Sequence, residues 1–359
     1  MNAPVSSRDA LLDDVVRDVL PLHPAIARDA AAALDAKTKP RGSLGRLEEL
    51  AVQIACVRGT VRPAPLEPAV VVAAGDHGVA REGVSAYPQE VTGQMLATFA
   101  SGGAAVAVLS RSVGARLVVV DAGVAAPPVV PGLRDLSLGR GTANAADGPA
   151  MERVVAAEGI VRGARLGREV ARDGAGVVAL GEMGIGNTTI AAALTCALLG
   201  ADPSVACGRG TGLDDAGVVR KQDVVRRILA VNAPRADDPL GALAAVGGFE
   251  LAVLAGVALG AAAERALVLL DGFISSVAGL VALRLAPPLR GYLVASHRSP
   301  EPGHALVLEA LGLVPLLDLE LRLGEGSGAA LALPLLGAAR AILVEMATFA
   351  DAGVTDTGR

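Results

Sequence analysis

Val177-Val178-Ala179-Leu180-Gly181-Glu182-Met183-Gly184-Ile185-Gly186-Asn187-Thr188-Thr189 is the stretch from which the fold is read. Its first four residues are uniformly apolar rather than alternating, as a strand buried on both faces of a parallel sheet requires. The run stops on glycines and polar groups and passes into an apolar helical stretch at 188–200. The same pattern recurs four times. Val70 to Ala74 runs into Gly75-Asp76-His77-Gly78, and Leu117 to Val120 into Asp121-Ala122-Gly123. Ala266 to Leu270 runs into Asp271-Gly272, and Gly291 to Ala295 into Ser296-His297-Arg298-Ser299. Helical stretches near 89–109, 151–172, 188–200, 214–231, 240–263 and 275–284 separate these runs. The alternation predicts an open α/β sheet, whose ligands sit beyond the carboxyl ends of the strands. All five polar clusters lie at such ends.

The termini read differently. Leu11 to Leu20, Ala25 to Ala36 and Leu44 to Val57 have helical patterns, broken at Lys39-Pro40-Arg41-Gly42, and Gly328 to Ala350 is also helical. These predict a small helical domain built from both ends, 1–60 plus 328–359, beside a large α/β domain of 61–327 that carries the active site. The segment 126–150, rich in Pro, Gly and Asp, reads as a loop.

Composition narrows the function. The chain has 359 residues, 52% hydrophobic and 19% charged, with a mean hydropathy of +0.51. That is enough to bury a full core without a disulfide or metal staple. The longest uncharged runs, 91–110 and 183–201, are interrupted by Gln94, Ser101 and Gly102 and by Asn187, Thr188 and Thr189, so no membrane partner is expected. A net charge of −5, only six Phe or Tyr and no Trp argue against nucleic-acid binding. Cys56, Cys196 and Cys207 are an odd number without metal-ligand spacing, and read as reduced thiols of a cytoplasmic protein. Met1 to Asp13 lacks an apolar signal core.

Three motifs carry chemistry. In Gly181–Thr189, glycines between strand and helix let backbone N–H groups approach an anion at a helix N-terminus. The stretch is neither a Walker A loop nor the dinucleotide fingerprint, and the competing reading is a tight turn capped by Asn187 or Thr188. Gly208-Arg209-Gly210-Thr211-Gly212 precedes a helix bearing Lys221, one of three lysines against 29 arginines. The two loops together suggest a phosphate seat. In Gly324-Glu325-Gly326-Ser327-Gly328-Ala329 a carboxylate stands among glycines, which lets a flat ring lie close to it. Asp76-His77 finds no further ligands at metal-site spacing and reads as a turn, while Ser296 to His304, without a nucleophile elbow, reads as substrate contacts.

In these ordered blocks the chain resembles the nicotinate-nucleotide–dimethylbenzimidazole phosphoribosyltransferase family, which activates the lower ligand of cobalamin. Lys39 to Glu48, Ala74 to Val79, Gly83 to Thr92, Gly247 to Glu250 and Leu270 to Phe273 extend the resemblance over almost the whole chain. It implies a Rossmann-like parallel sheet flanked by helices, a homodimer, no cofactor and no metal. It also implies a reaction: nicotinate mononucleotide plus 5,6-dimethylbenzimidazole gives α-ribazole 5′-phosphate plus nicotinate. Carried over by motif, Glu325 is the general base and Glu182 a second active-site carboxylate. Gly184, Gly186, Asn187, Thr188, Gly210, Lys221 and Ser299 fall where the family holds the nucleotide, and Ser85, Tyr87, Gln94, Met95 and Leu323 where it holds the base. A phosphoribosyl-pyrophosphate enzyme is the enzymatic alternative, with Leu213-Asp214-Asp215 as its paired acids. A non-catalytic nucleotide-binding module offers no reason for the glycine-flanked Glu325. A dinucleotide-dependent oxidoreductase lacks its fingerprint.

Overall fold

The computed structural model describes residues 7–356, with side chains from residue 11 onward. Residues 1–6 and 357–359 of the expected small domain, and Met1 to Ser6 of the stretch read for a signal core, lie outside the described residues. Six strands form one parallel sheet: β1 (Pro68–Gly75), β2 (Arg116–Gly123), β3 (Leu133–Asp135), β4 (Val177–Met183), β5 (Leu267–Leu270) and β6 (Leu293–Ala295). Their order is β3-β2-β1-β4-β5-β6. The chain builds outward from β1 to one edge, returns to β4, and builds to the other. Helices diverge at this reversal and leave a crevice beyond the carboxyl ends of β1 and β4.

The apolar runs became the strands because β1, β4 and β5 are covered on both faces. Strand β3 lies inside the segment read as a loop; it is an edge strand of three residues with Arg134 and Asp135 exposed, so no apolar pattern announces it. The helical stretch 89–109 is two helices, Val91–Ala100 and Ala105–Ser112, broken where Gly102 turns to φ +80°. The stretch 240–263 is likewise Pro239–Val246 and Phe249–Ala263, parted at Gly247-Gly248. A further helix, Pro302–Leu311, starts on a proline whose missing N–H costs nothing in the first turn.

Helix Phe249–Ala263 lies against helix Arg153–Arg172 at backbone contact. A Cβ at Gly163 would lie 2.0 Å from the Val253 carbonyl oxygen, and one at Gly256 2.0 Å from that of Ile160. This packing carries Glu250, in the first turn of its helix, to the buried end of the sheet.

Helix Ser327–Glu345 packs on helices Arg46–Arg58 and Pro24–Asp35 and also touches β1 and β4. Beyond it, Lys37 Nζ donates to the Met346 carbonyl at 2.6 Å and the Thr38 amide to that of Ala347 at 3.1 Å, so the two ends of the chain meet. By length and composition helix Ser327–Glu345 could cross a membrane, as could the stretch 91–112 taken as one, but the break at Gly102 divides the latter into helices of 10 and 8 residues. In the structure both pack against the rest of the fold.

Candidate active site

Glu182 stands near the end of β4, opposite Ala73 of β1, and is 5% exposed. Its Oε2 accepts a hydrogen bond from Asn187 Nδ2. Asn187 therefore does not cap the helix it opens, Asn187–Leu199; Gly186 takes the cap position at φ +95° without a side-chain bond. Glu325 lies across from Glu182 in the loop before helix Ser327–Glu345 and is 6% exposed. It adopts φ +65°, a left-handed conformation that costs a residue with a Cβ about 1–2 kcal/mol. Asp271, at the end of β5, holds the loop there: its carboxylate accepts the Gly326 N–H at 3.2 Å and the Ala329 N–H at 2.8 Å.

The strand and loop approach so closely that only glycine fits at two points. A Cβ at Gly181 would lie 2.4 Å from the Glu325 carbonyl oxygen, and one at Gly324 2.5 Å from Glu182 Oε1. The glycines read as room for a flat ring thus also make room for the two carboxylates.

Glu182, Glu250, Asp271 and Glu325 are all buried. Burial pushes the Glu182 carboxyl up to about 8, and the charges of Asp271, Glu250 and Glu325 add to the effect. Burial, with Asp271 beside it, pushes Glu325 up to about 7. Two buried histidines stand beside these acids. His77 Nε2 is 3.1 Å from Glu250 Oε1; burial disfavours its proton, but Glu250, together with Asp76, outweighs that and raises its pKa. His297 Nδ1 is 3.7 Å from Asp271 Oδ1. Four acids against two histidines make this a place for a positively charged ligand atom.

A cavity of about 650 Å³ opens over these groups. Glu182, Gly184, Asn187, Thr188, Gly210, Ser299 and Leu323 line it, so seven of the expected residues are gathered. Glu325 is not itself among the lining residues, although its neighbour Gly324 is. Gly186 is turned away against Val79 and Ala80. Lys221 is fully buried, with Nζ donating to Thr188 Oγ1 at 2.8 Å and to the Gly208 carbonyl at 3.2 Å. It ties the two glycine loops together from behind, and burial lowers its pKa. Ser299 is fixed by His304, which accepts the Ser299 N–H on Nδ1 at 3.0 Å. The ring proton therefore sits on Nε2, toward Ser276 Oγ at 3.1 Å, and burial holds the His304 pKa down to about 3.

The expected base-contact residues divide. Leu323 lines the cavity, and the loop of Ser85 and Tyr87 hooks onto its rim through Thr211, whose Oγ1 lies 3.4 Å from Ser85 Oγ and accepts the Ala86 N–H at 3.3 Å. Met95 is half-buried against the core. Gln94 lines a different cavity of about 970 Å³, with Asp76, Ala97 and Val124. The reason is helical phase. Thr92 faces the active site, accepting the Ile185 N–H at 3.1 Å, and two residues on the side chain points roughly 200° around.

Other motifs resolve too. Asp76 accepts the N–H of Ala125, 49 residues away beyond β2, at 2.9 Å, and His77 pairs with Glu250, so the two side chains make long-range contacts rather than closing a local turn. Ser296 Oγ is buried and donates to the Asp271 carbonyl at 2.9 Å, so it is no nucleophile. Asp214 caps helix Asp215–Asn232 and Asp215 pairs with Arg209 at the surface, so these acids are structural rather than a magnesium pair. Among the described residues no cluster of His, Cys, Asp or Glu is arranged to hold a metal. Met183, Thr211, Phe273, His297, Glu301 and Arg322 are among the further lining residues and were not singled out. Position was the available signal: each follows a strand end or adjoins a glycine cluster.

The family model described as phosphoribosyltransferase matches residues 19–354. A relative from Roseiflexus sp. (strain RS-1), named nicotinate-nucleotide–dimethylbenzimidazole phosphoribosyltransferase, is 51% identical over 347 residues, covering 96% of this chain and 98% of its own. One of the same name from Pseudomonas putida is 53% identical over 337 residues, covering 94% and 96%. The crystal structure of CobT from Thermus thermophilus superimposes with a TM-score of 0.88 at 47% identity, covering 92% of this chain and 99% of that one.

Proposed function

The chain belongs to the nicotinate-nucleotide–dimethylbenzimidazole phosphoribosyltransferase family, and from that premise we propose how its own residues carry out the transfer. It moves the phosphoribosyl group of nicotinate mononucleotide to 5,6-dimethylbenzimidazole, giving α-ribazole 5′-phosphate and nicotinate for the lower ligand of cobalamin. The observation that carries the assignment of roles is the pair of buried carboxylates, Glu182 and Glu325, on backbones that meet through Gly181 and Gly324.

The pyridinium nitrogen of the nucleotide begins cationic. When its bond to C1′ breaks, the electron pair stays on nitrogen and nicotinate leaves without needing an acid. Positive charge grows on the ribose, where Glu182 stabilises it within a buried acidic site. The benzimidazole lone pair attacks C1′ from the opposite face, turning a β into an α linkage, while its N–H proton passes to Glu325. Holding ring and ribose in line supplies much of the remaining rate. Gly184, Thr188, Gly210 and Ser299 hold the nucleotide. Leu323 covers the base, with Ser85 and Tyr87 closing over it; Met95 backs them from its helix, while Gln94 faces the neighbouring cavity.

Incubating the chain with both substrates in EDTA tests the assignment: α-ribazole 5′-phosphate and nicotinate are expected by mass, and failure to form them with any benzimidazole overturns it. Lys221→Ala is expected to raise the apparent KM for the nucleotide about tenfold or more while changing kcat much less, because Lys221 positions Thr188 and the Gly208 loop around the phosphate, and a phosphate far from C1′ contributes mainly uniform binding. An unchanged KM in steady-state kinetics would separate Lys221 from the phosphate.

The same reading makes the protein a cytoplasmic homodimer, supported by three buried free cysteines and by exposed Tyr87, Val219 and Leu323 around the site. Light scattering at the mass of one chain would contradict the dimer. The packing of the terminal helices on one another supports a small domain of 1–60 plus 328–359 set beside 61–327.

A further inference from the structure

The Gly208–Gly212 loop already holds an anion of the protein's own. Gly210 N–H donates to Glu301 Oε1 at 2.8 Å. A Cβ at Gly210 would lie 2.8 Å from Thr188 Oγ1 and 3.3 Å from Lys221 Nζ, so the Thr188 hydroxyl and the Lys221 amine stand close beside this residue. One carboxylate oxygen thus takes the Gly210 donor. The other, Oε2, is buried with no hydrogen-bond partner. It lies against Gly208, where a Cβ would be 2.4 Å away. A carboxylate fixed for structure alone normally has both oxygens satisfied; this one fills the seat incompletely.

We propose that Glu301 is a placeholder for the nucleotide phosphate: it occupies the Gly210 seat in the free protein and swings out when the phosphate arrives. This rests on the phosphoribosyl-transfer reading and deepens it. Phosphate and carboxylate cannot share one N–H, because both are anions in a partly dry site. The side chain has somewhere to go. Glu301 stands on the wall between the active-site cavity and a second, solvent-open cavity of about 1550 Å³, and Arg322 lines both. The exchange puts a threshold on the seat. A small anion must displace Glu301 with its charge alone, whereas the mononucleotide brings the binding energy of its ribose and pyridinium as well. Glu301 is therefore a specificity residue that keeps inorganic phosphate out of the site.

The test is isothermal titration of the wild type and Glu301→Gln with nicotinate mononucleotide, nicotinate riboside and inorganic phosphate. Gln fills the same space without the charge. The variant is expected to bind the mononucleotide and inorganic phosphate roughly fivefold tighter or more, since the open seat is populated more of the time. The riboside, which lacks the phosphate, is expected to bind both proteins equally. Equal or weaker mononucleotide binding by a folded Glu301→Gln, with normal binding by the wild type, overturns the placeholder alone; it makes Glu301 a ribose ligand or a bystander. No mononucleotide binding by the wild type overturns the placeholder and the phosphoribosyl-transfer reading together. Glu301→Asp, one methylene shorter, guards against a folding artefact: it keeps the charge and is expected to behave closer to the wild type.

Discussion

Glu325→Gln lowers kcat with dimethylbenzimidazole by roughly 10²–10⁴-fold, the usual contribution of a positioned general base. Nucleotide binding survives, because Glu325 acts on the other substrate. When the lone-pair nitrogen of a neutral benzimidazole bonds to C1′, the ring becomes cationic unless its N–H proton departs, and Gln cannot take that proton. A more acidic azole partly rescues the variant. The sign of the pH dependence follows from burial. Glu325 is pushed up to about 7, and only the ionised carboxylate is a base, so wild-type turnover falls as the pH drops through about 7. Stopped assays on either side of that value read this limb directly; the variant is expected to lose it. Near wild-type turnover by Glu325→Gln would pass the role of base to Glu182.

Glu182→Gln acts on the other half of the reaction. It removes the charge that faces the developing oxocarbenium ion, and a loss of about 10²–10³ in kcat is expected, as for the removal of a preorganised electrostatic partner. An acidic azole does not rescue it, which separates it from Glu325→Gln. A second signature comes from protonation. Glu182 is pushed up to about 8 in the free protein, so near neutral pH it is mostly protonated. The pyridinium cation favours the ionised form, so nucleotide binding expels a proton from the wild type and not from Glu182→Gln. Calorimetry in buffers of different ionisation enthalpy counts that proton. Equal release from both proteins would place the charge change elsewhere.

How much of this is legible in the chain follows from which interactions are local. Strands β1, β4 and β5 are legible because both faces are covered, leaving continuous apolar runs. Glu182 and Glu325 are legible because glycines bracket them within a few residues. The features that escape the sequence depend on long-range placement. The His77–Glu250 pair joins the end of β1 to a helix far along the chain. Only the backbone contact at Gly163 and Gly256 puts that helix where the pair can form. Asp271 is visible as the end of a strand, but its hold on Gly326 and Ala329 spans the site. The neighbours of Gln94 in sequence point to the base, whereas helical phase turns it toward another cavity. Lys221 reads as a direct phosphate ligand; its ammonium is already occupied by Thr188 and Gly208.

The most direct measurement follows the anomeric proton of the product by NMR in a single turnover, with protein in excess over nicotinate mononucleotide and dimethylbenzimidazole, in EDTA. In-line attack with Glu182 at the ribose and Glu325 at the base requires α-ribazole 5′-phosphate alone, formed one for one with nicotinate. A β-configured product, or ribose 5-phosphate from attack by water in place of the base, would contradict the arrangement of the two carboxylates on opposite partners of one displacement.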